Sequence, residues 1–361
     1  MSLSRYASLL PLVGYLTTIS VLFGFIISKL PNLRSRTPQR DPRKTGTAVF
    51  GVLTVAALLH TWFYMFRFMA WSFRDYEARK HSITGVITDS PANWVLDRMA
   101  DWVYETALFE QAWEIVCRGR VNWWWSEQLC IFTAGAWTLF LFTESRSRQV
   151  RHAWAFMLLG QIVAISVAVN LFFLHISMLP SSSTSPTTRA KDRSIPLFVC
   201  GCVLLSLGTV AISPWVMGTE LYLPNLLVMH GLLIIPFLPL SLNRLPSRMG
   251  PAEMFTIVMT VSGALRLVTT ARMVAASGGL PPVWRFLQEH PAKSSIGWDI
   301  VWTTISMLAW RWMHHGVKWL GLSAPFVAIG SIAPVACGWL AFDELAVEER
   351  LESEEKARRH E

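Results

Sequence analysis

Apolar runs close to the ~20 residues a helix needs to cross hydrocarbon recur along most of this chain, with short polar segments between them. In lipid the backbone finds no water, so every amide must bond within the protein. Helices satisfy that demand one segment at a time. A barrel would show alternating segments of ~10 residues, and none repeat here. The sequence therefore predicts an all-α fold, a polytopic transmembrane helical bundle with eight or nine spans. Composition agrees: 52% of the 361 residues are hydrophobic and 16% charged, where a soluble domain carries about 25% charge.

The predicted spans run from about Ser8 to Ile27, Thr47 to Trp71, Gln128 to Phe142, Trp154 to Leu174, Ile195 to Val216, Leu226 to Leu242, Met254 to Val274, Ile296 to Trp312 and Leu322 to Phe342. The first run is followed by no small-residue cleavage site and reads as a retained span. Residues 1–342 form the transmembrane domain, and 343–361 a polar tail, either a solvated helix or disordered. Ser181 to Pro186 read as a flexible loop. Within the domain, about 91–118 form an amphipathic helix. After Pro91, it places Val95, Met99, Trp102, Thr106, Phe109, Trp113 and Val116 along one face, with Asp97, Asp101 and Glu105 along another.

The net charge of +8 comes from Lys and Arg beside the spans, where they act as topology signals, not as a nucleic-acid surface. Lys29, Arg34, Arg36, Arg40, Arg43 and Lys44 precede the second span, and Arg146, Arg148 and Arg151 follow the third, so both loops fall on one side. That side is expected to be cytosolic, in the endoplasmic reticulum membrane. Arg189, Lys191 and Arg193, and Arg244 with Arg248, fit this arrangement less well. Five cysteines form no CxxC pair and no zinc spacing, and most lie in apolar runs as small hydrophobes.

Several residues could carry chemistry. Glu127 closes the run Trp123-Trp124-Trp125-Ser126 at the mouth of a span. A carboxylate there is costly unless it is protonated, paired or facing a cavity, or lies at headgroup level. Asp299 follows Trp298; it is either a second intramembrane acid or part of a helix start. The indoles of Trp124, Trp125, Trp298 and Trp302 suit either an interfacial belt or the wall of an apolar pocket. Gln161, Asn170 and His175 are polar groups in one apolar run, and Arg67 and Arg266 lie in or near spans. There is no DDxxD, DxDD, GxxxxGK[ST], GxGxxG or HExxH, which argues against diphosphate departure on magnesium, ATP hydrolysis, dinucleotide chemistry and zinc proteolysis. No cofactor and no metal are expected.

The stretches Phe109 to Glu114, Asn122 to Gln128, Trp154 to Ser166, Asn170 to Phe173 and Ser294 to Asp299 resemble fungal membrane-bound terpene cyclases of meroterpenoid biosynthesis, of the ascochlorin and ascofuranone type. The likeness covers roughly residues 95–310. It implies a metal-independent enzyme whose partner is a hydrophobic prenylated small molecule. Such an enzyme protonates an epoxide or olefin and closes rings through carbocations. The resemblance maps no catalytic motif, so the candidates come from the residues themselves. Glu127 and Asp299 are the first proton donors, with Asp101 and Glu105 next if their helix folds over the pocket. Trp124, Trp125, Trp298 and Trp302 would line it, and Asn170 and His175 would orient the acid or the head group. A transporter of a secondary metabolite and a non-catalytic endoplasmic reticulum membrane protein remain the alternatives.

Overall fold

The computed structural model describes residues 6–31, 42–84, 94–179, 194–239, 249–316, 321, 326–327 and 330–359. All the regular structure among them is helical. The predicted loop Ser181 to Pro186, together with Pro91, Arg34, Arg36, Arg40, Arg189, Lys191, Arg193, Arg244 and Arg248, lies outside the described residues, as does part of the ninth predicted span.

α1 (Leu10–Ser28) and α2 (Pro42–Thr84) follow the first two apolar runs. α2 has 43 residues, about 65 Å at 1.5 Å per residue, so it overshoots a ~30 Å hydrocarbon layer by about half its length. Beyond Trp71 it carries Arg74, Asp75, Glu77, Arg79 and Lys80, charges that suit water and polar partners.

α3 (Trp94–Thr106) and α4 (Leu108–Cys117) dock on this overhang. The predicted single amphipathic helix is in fact two, broken at Ala107, whose φ of 44° is left-handed. That conformation costs a non-glycine residue about 1–2 kcal/mol. The break re-aims α4 so that Gln111 joins a polar chain: the Trp102 indole donates to Ser72 (3.0 Å), and the Ser72 hydroxyl donates to Gln111 (2.6 Å). The predicted apolar stripe is only partly buried, with Trp102 and Val116 inside and Val95 and Phe109 exposed.

α5 (Arg120–Phe132), a π turn (Thr133–Trp137) and α6 (Thr138–Ser147) form one continuous rod, longer at both ends than the third predicted span. Inside the π turn Thr138 donates its hydroxyl to the Thr133 carbonyl (2.6 Å). Gly135 lets another helix touch the rod's backbone: a Cβ there would stand 2.5 Å from Val258 Cγ1.

The fourth predicted span is not one helix. It divides into α7 (Ala153–Ile162, 10 residues) and α8 (Ile165–Met178, 14 residues), about 15 and 21 Å long against the ~30 Å of hydrocarbon. The two run antiparallel: the rings of His152 and His175 are 5.0 Å apart, and those of Phe156 and Phe172 5.3 Å. This is a helical hairpin whose tip at residues 163–164 sits inside the bundle. Its two outer ends lie beside Lys29, Arg148 and Arg151, which defines a basic end of the molecule.

α9 (Leu197–Val216) and α10 (Tyr222–Ile234, extended by a 3-10 turn over Ile235–Phe237) pack together. α11 (Pro251–Ser277), the short α12 (Val283–Glu289), α13 (Pro291–His315) and α14 (Ile332–Arg359) complete the fold. α14 packs along α11, where Gly338 meets Met259 and Pro334 faces Gly263. It continues without a break into the polar tail, which is helical as far as Arg359. Asp343, the first tail residue, accepts from buried Arg311 (2.6 Å) and from His315 (3.1 Å) and ties α14 to α13.

Four helices are long and apolar enough to cross a membrane by length and composition: Leu10–Ser28, Thr45–Lys80, Leu197–Val216 and Pro251–Ser277. Between 22% and 44% of each crossing window is buried inside the bundle, which leaves most of the apolar surface for lipid. Val52, Val55, Leu59, Phe63, Leu205, Ile212, Leu267 and Val268 are among the exposed residues on these helices. A water-soluble protein does not expose apolar residues in such continuous bands.

Candidate functional site

A helix that stops inside a bundle strands backbone groups on both sides of the break. The hairpin tip solves this with two side chains from distant helices. Tyr15 of α1 donates its hydroxyl to the Ile162 carbonyl (2.6 Å), at the end of α7. Asp299 of α13 receives the start of α8: its Oδ2 accepts from the Ile165 N–H (3.0 Å) and its Oδ1 from the Ser166 N–H (2.8 Å). A carboxylate at a helix start also faces the positive end of the helix dipole. Gly160 lets the tip fold this tightly, since a Cβ there would lie 2.9 Å from Ile165 Cδ1.

Asp299 is 6% exposed, and it borders a cavity of about 220 Å³ at the tip. Met65, Phe68, Trp113, Leu129, Met229 and Ile296 supply most of the apolar wall. Thr61, Thr133, Gln161, His230 and Ser295 supply polar edges, with Thr133 placed by the π turn. His230 is held with Nδ1 2.7 Å from the Leu226 carbonyl. A carbonyl only accepts, so Nδ1 carries the hydrogen and Nε2 keeps a lone pair. The cavity thus sets a carboxyl group and an imidazole acceptor in one largely apolar chamber.

Of the predicted site residues, Asp299 alone lines this cavity among the described residues. Glu127 is buried as expected but lies elsewhere, between α5 and α11. It accepts from Thr269 (2.6 Å) and stands 3.6 Å from the Arg266 guanidinium. Arg266 also donates to the Trp124 carbonyl and lies 4.6 Å from the Trp124 ring centre. Glu127 thus links α5 to α11 beside Arg266, away from the cavity at Asp299. Trp124 and Trp125 belong to the same region: they pack with Met273, Phe286, Leu287 and Ile300 in a small apolar cluster.

Trp298 and Trp302 turn toward α2, where Trp298 packs on the His60 ring (4.4 Å) and Trp302 donates to His60 Nδ1 (3.1 Å). They wall a contact between helices, not the cavity. Asn170 is fully buried in α8, and both its amide atoms lack a partner among the described residues. His175 lies at the basic end, at the outer end of the hairpin. Asp101 sits 3.2 Å from Lys80, and exposed Glu105 3.7 Å from it, on the overhang of α2. Their helix does not fold over the cavity. α4 does reach it, through Ala112, Trp113 and Val116.

The sequence reading did not assign Trp113, His230, Thr133 or Tyr15 to the site. Trp113 lay in the amphipathic stripe, and His230 in an apolar run beside Pro236, so both were visible as oddities. Nothing in the local sequence announces the hairpin: residues 163–164 are Val and Ala, without a proline or glycine.

Compared with protein-family models, curated proteins and solved structures, the chain shows no significant match.

Proposed function

We propose that this chain is a membrane-bound cyclase of prenylated substrates, with Asp299 as its acid. The observation that carries the reading is a buried carboxyl group bordering an apolar, aromatic-edged cavity. Both its oxygens accept a backbone hydrogen, and each keeps a second position for an O–H or a lone pair. Asp299 would pass its proton to an epoxide oxygen or an alkene carbon. The oxirane C–O bond then breaks, a tertiary cation forms, and the next alkene attacks it to close a ring. A C–H proton is lost at the end to the Asp299 carboxylate, with His230 Nε2 as the second acceptor. The result is an isomer of the substrate. The faces of Phe68 and Trp113 stabilise the passing cation, each by about 0.5–2 kcal/mol.

The size of the cavity limits the fit. It is about 220 Å³. That suits the isoprenoid end of a substrate, with its head group left at the mouth. In this reading α1, α2, the α5–α6 rod, α9, α10, α11 and α13 cross the membrane, the hairpin enters and returns, and the basic end faces the cytosol.

The test is turnover of an epoxidised prenyl-arene by microsomes containing the protein, read as a product of unchanged mass. Asp299→Asn should abolish it. Ala112→Leu, which leaves Asp299 and the hairpin tip untouched while narrowing the cavity, should also remove it, and Glu127→Gln should not. Turnover retained by both Asp299→Asn and Ala112→Leu would remove this site from the chemistry.

One feature favours a second reading. Secondary transporters bind solutes at discontinuous helices near the bilayer midplane, and the hairpin break beside Asp299 has that form. Uptake of a solute into proteoliposomes without chemical change would decide for a transporter.

A further inference from the structure

The basic end holds a second concave site that the cyclase reading does not use. It lies between the end of α1, the turn joining α6 to α7, and the outer end of α8. Lys29, Arg148 and Arg151 bring three cations to it, with His152 and His175 between them. Arg148 is partly neutralised by Glu144 (2.5 Å), whereas Arg151 makes no ion pair among the described residues. α7, a helix of 10 residues, also begins here, and the N–H groups of a first helical turn have no partner within their own helix.

The two imidazoles are what distinguish this place from an ordinary positive-inside loop. His175 is 3% exposed, lines the pocket, and its Nδ1 is buried without a hydrogen-bond partner. His152 Nε2 is likewise buried and unpartnered, with its ring 5.0 Å from that of His175. A buried polar nitrogen without a partner costs about 1–3 kcal/mol, and here two of them border one cation-rooted cleft. Burial and the nearby Lys29 hold the His152 imidazole below its ordinary pKa, so without an anion the site has no reason to charge it.

We propose that this pocket binds a phosphoryl-type oxyanion, held by Arg151 and Lys29 and by hydrogen bonds from His152 and His175. A tetrahedral oxyanion offers several acceptor atoms to donors converging from different sides, and Arg and Lys are the side chains that bind such groups best. Its source is either a lipid headgroup or a soluble phosphate ester. The proposal does not depend on the reaction at Asp299.

The test uses the purified full-length protein in nanodiscs. In one arm the lipid is neutral phosphatidylcholine and inorganic phosphate or pyrophosphate is titrated, with thermal stability as the readout. In the other arm phosphatidic acid is added to the lipid and its retention is read by native mass spectrometry. Saturable binding in either arm is expected, and the arm that gives it names the source. Each cation removed should weaken it about tenfold, so Lys29→Gln with Arg151→Gln should lose about a hundredfold. His175→Phe, which keeps an aromatic ring without the nitrogens, should weaken binding while the unliganded protein melts as before. Arg79→Gln with Arg118→Gln, which removes two exposed cations elsewhere, is the charge-matched control and should change nothing. No saturable binding in either arm, or binding equal in the double variant and the control, would overturn the proposal.

Discussion

Replacing Asp299 with alanine should open the hairpin tip. In the parent, Asp299 is 6% exposed and takes the amide hydrogens of Ile165 (3.0 Å) and Ser166 (2.8 Å). Alanine leaves both N–H groups without an acceptor. Each buried, unsatisfied donor costs about 1–3 kcal/mol, so the loss should be about 2–6 kcal/mol. Asn keeps one acceptor oxygen and turns an NH2 toward the other amide, so Asp299→Asn should lose about half as much. Against a total stability of about 5–15 kcal/mol, the alanine variant gives up a large share. Thermal unfolding in nanodiscs measures the sum. Hydrogen exchange at Ile165 and Ser166 measures the local part, which should speed up about fivefold to 150-fold for each lost bond. If Asp299→Ala melts like the parent and those amides exchange no faster, the carboxylate does not hold the tip, and the account of the hairpin given above is wrong.

Other outcomes follow from the same geometry. Cysteines placed at Arg151 and Leu179, on either side of the hairpin, should react with an impermeant maleimide from the same face of sealed vesicles; reaction from opposite faces would restore a crossing helix. The native cysteines Cys117, Cys130, Cys200, Cys202 and Cys337 are buried and should not interfere. Glu127→Gln strands the buried Arg266 charge and should cost about 3–5 kcal/mol. Adding Arg266→Met to it should recover much of that loss in thermal unfolding, and strictly additive losses would show that the two groups are not coupled. Gly135→Ala places a Cβ 2.5 Å from Val258 Cγ1 and should cost about 1–3 kcal/mol of overpacking. Val258→Ala in the same chain should relieve it, and a double variant no more stable than Gly135→Ala would place the strain elsewhere.

What could be read from the sequence was set by apolar length, and what could not was set by long-range contacts. α1, α2, α9 and α11 follow their runs because about twenty apolar residues in a row have few other places to go. Burial of Glu127 and Asp299 was legible for a related reason: an acid in such a run must find a partner or a cavity. Which of the two each had found was not legible. The partners of Glu127 are Arg266 and Thr269, and those of Asp299 are Ile165 and Ser166, all more than a hundred residues away. The tryptophans misled because an indole packs equally well on an imidazole, on a guanidinium or around a ligand. Trp298 and Trp124 took the first two.

The fourth span shows how one local misreading spreads. Residues 154–174 are apolar apart from Gln161, Ser166 and Asn170, and hydropathy alone makes them a crossing helix. With that crossing counted, Arg189, Lys191, Arg193, Arg244 and Arg248 sat awkwardly with respect to Lys29 and Arg151. In the proposed arrangement the hairpin removes one crossing. Leu179 lies beside Lys29 and Arg151, and the Ile195 N–H bonds the Met249 carbonyl (3.1 Å), which brings the described flanks of the two later basic segments together. With one crossing fewer, the positive-inside rule would put all the basic segments on one side. The conflict was therefore a signal already present in the sequence: a charge pattern that disagrees with a span count argues for a segment that enters the membrane and turns back. The hairpin then needs an acceptor at its tip, and an acid deep in another helix is the residue to look for.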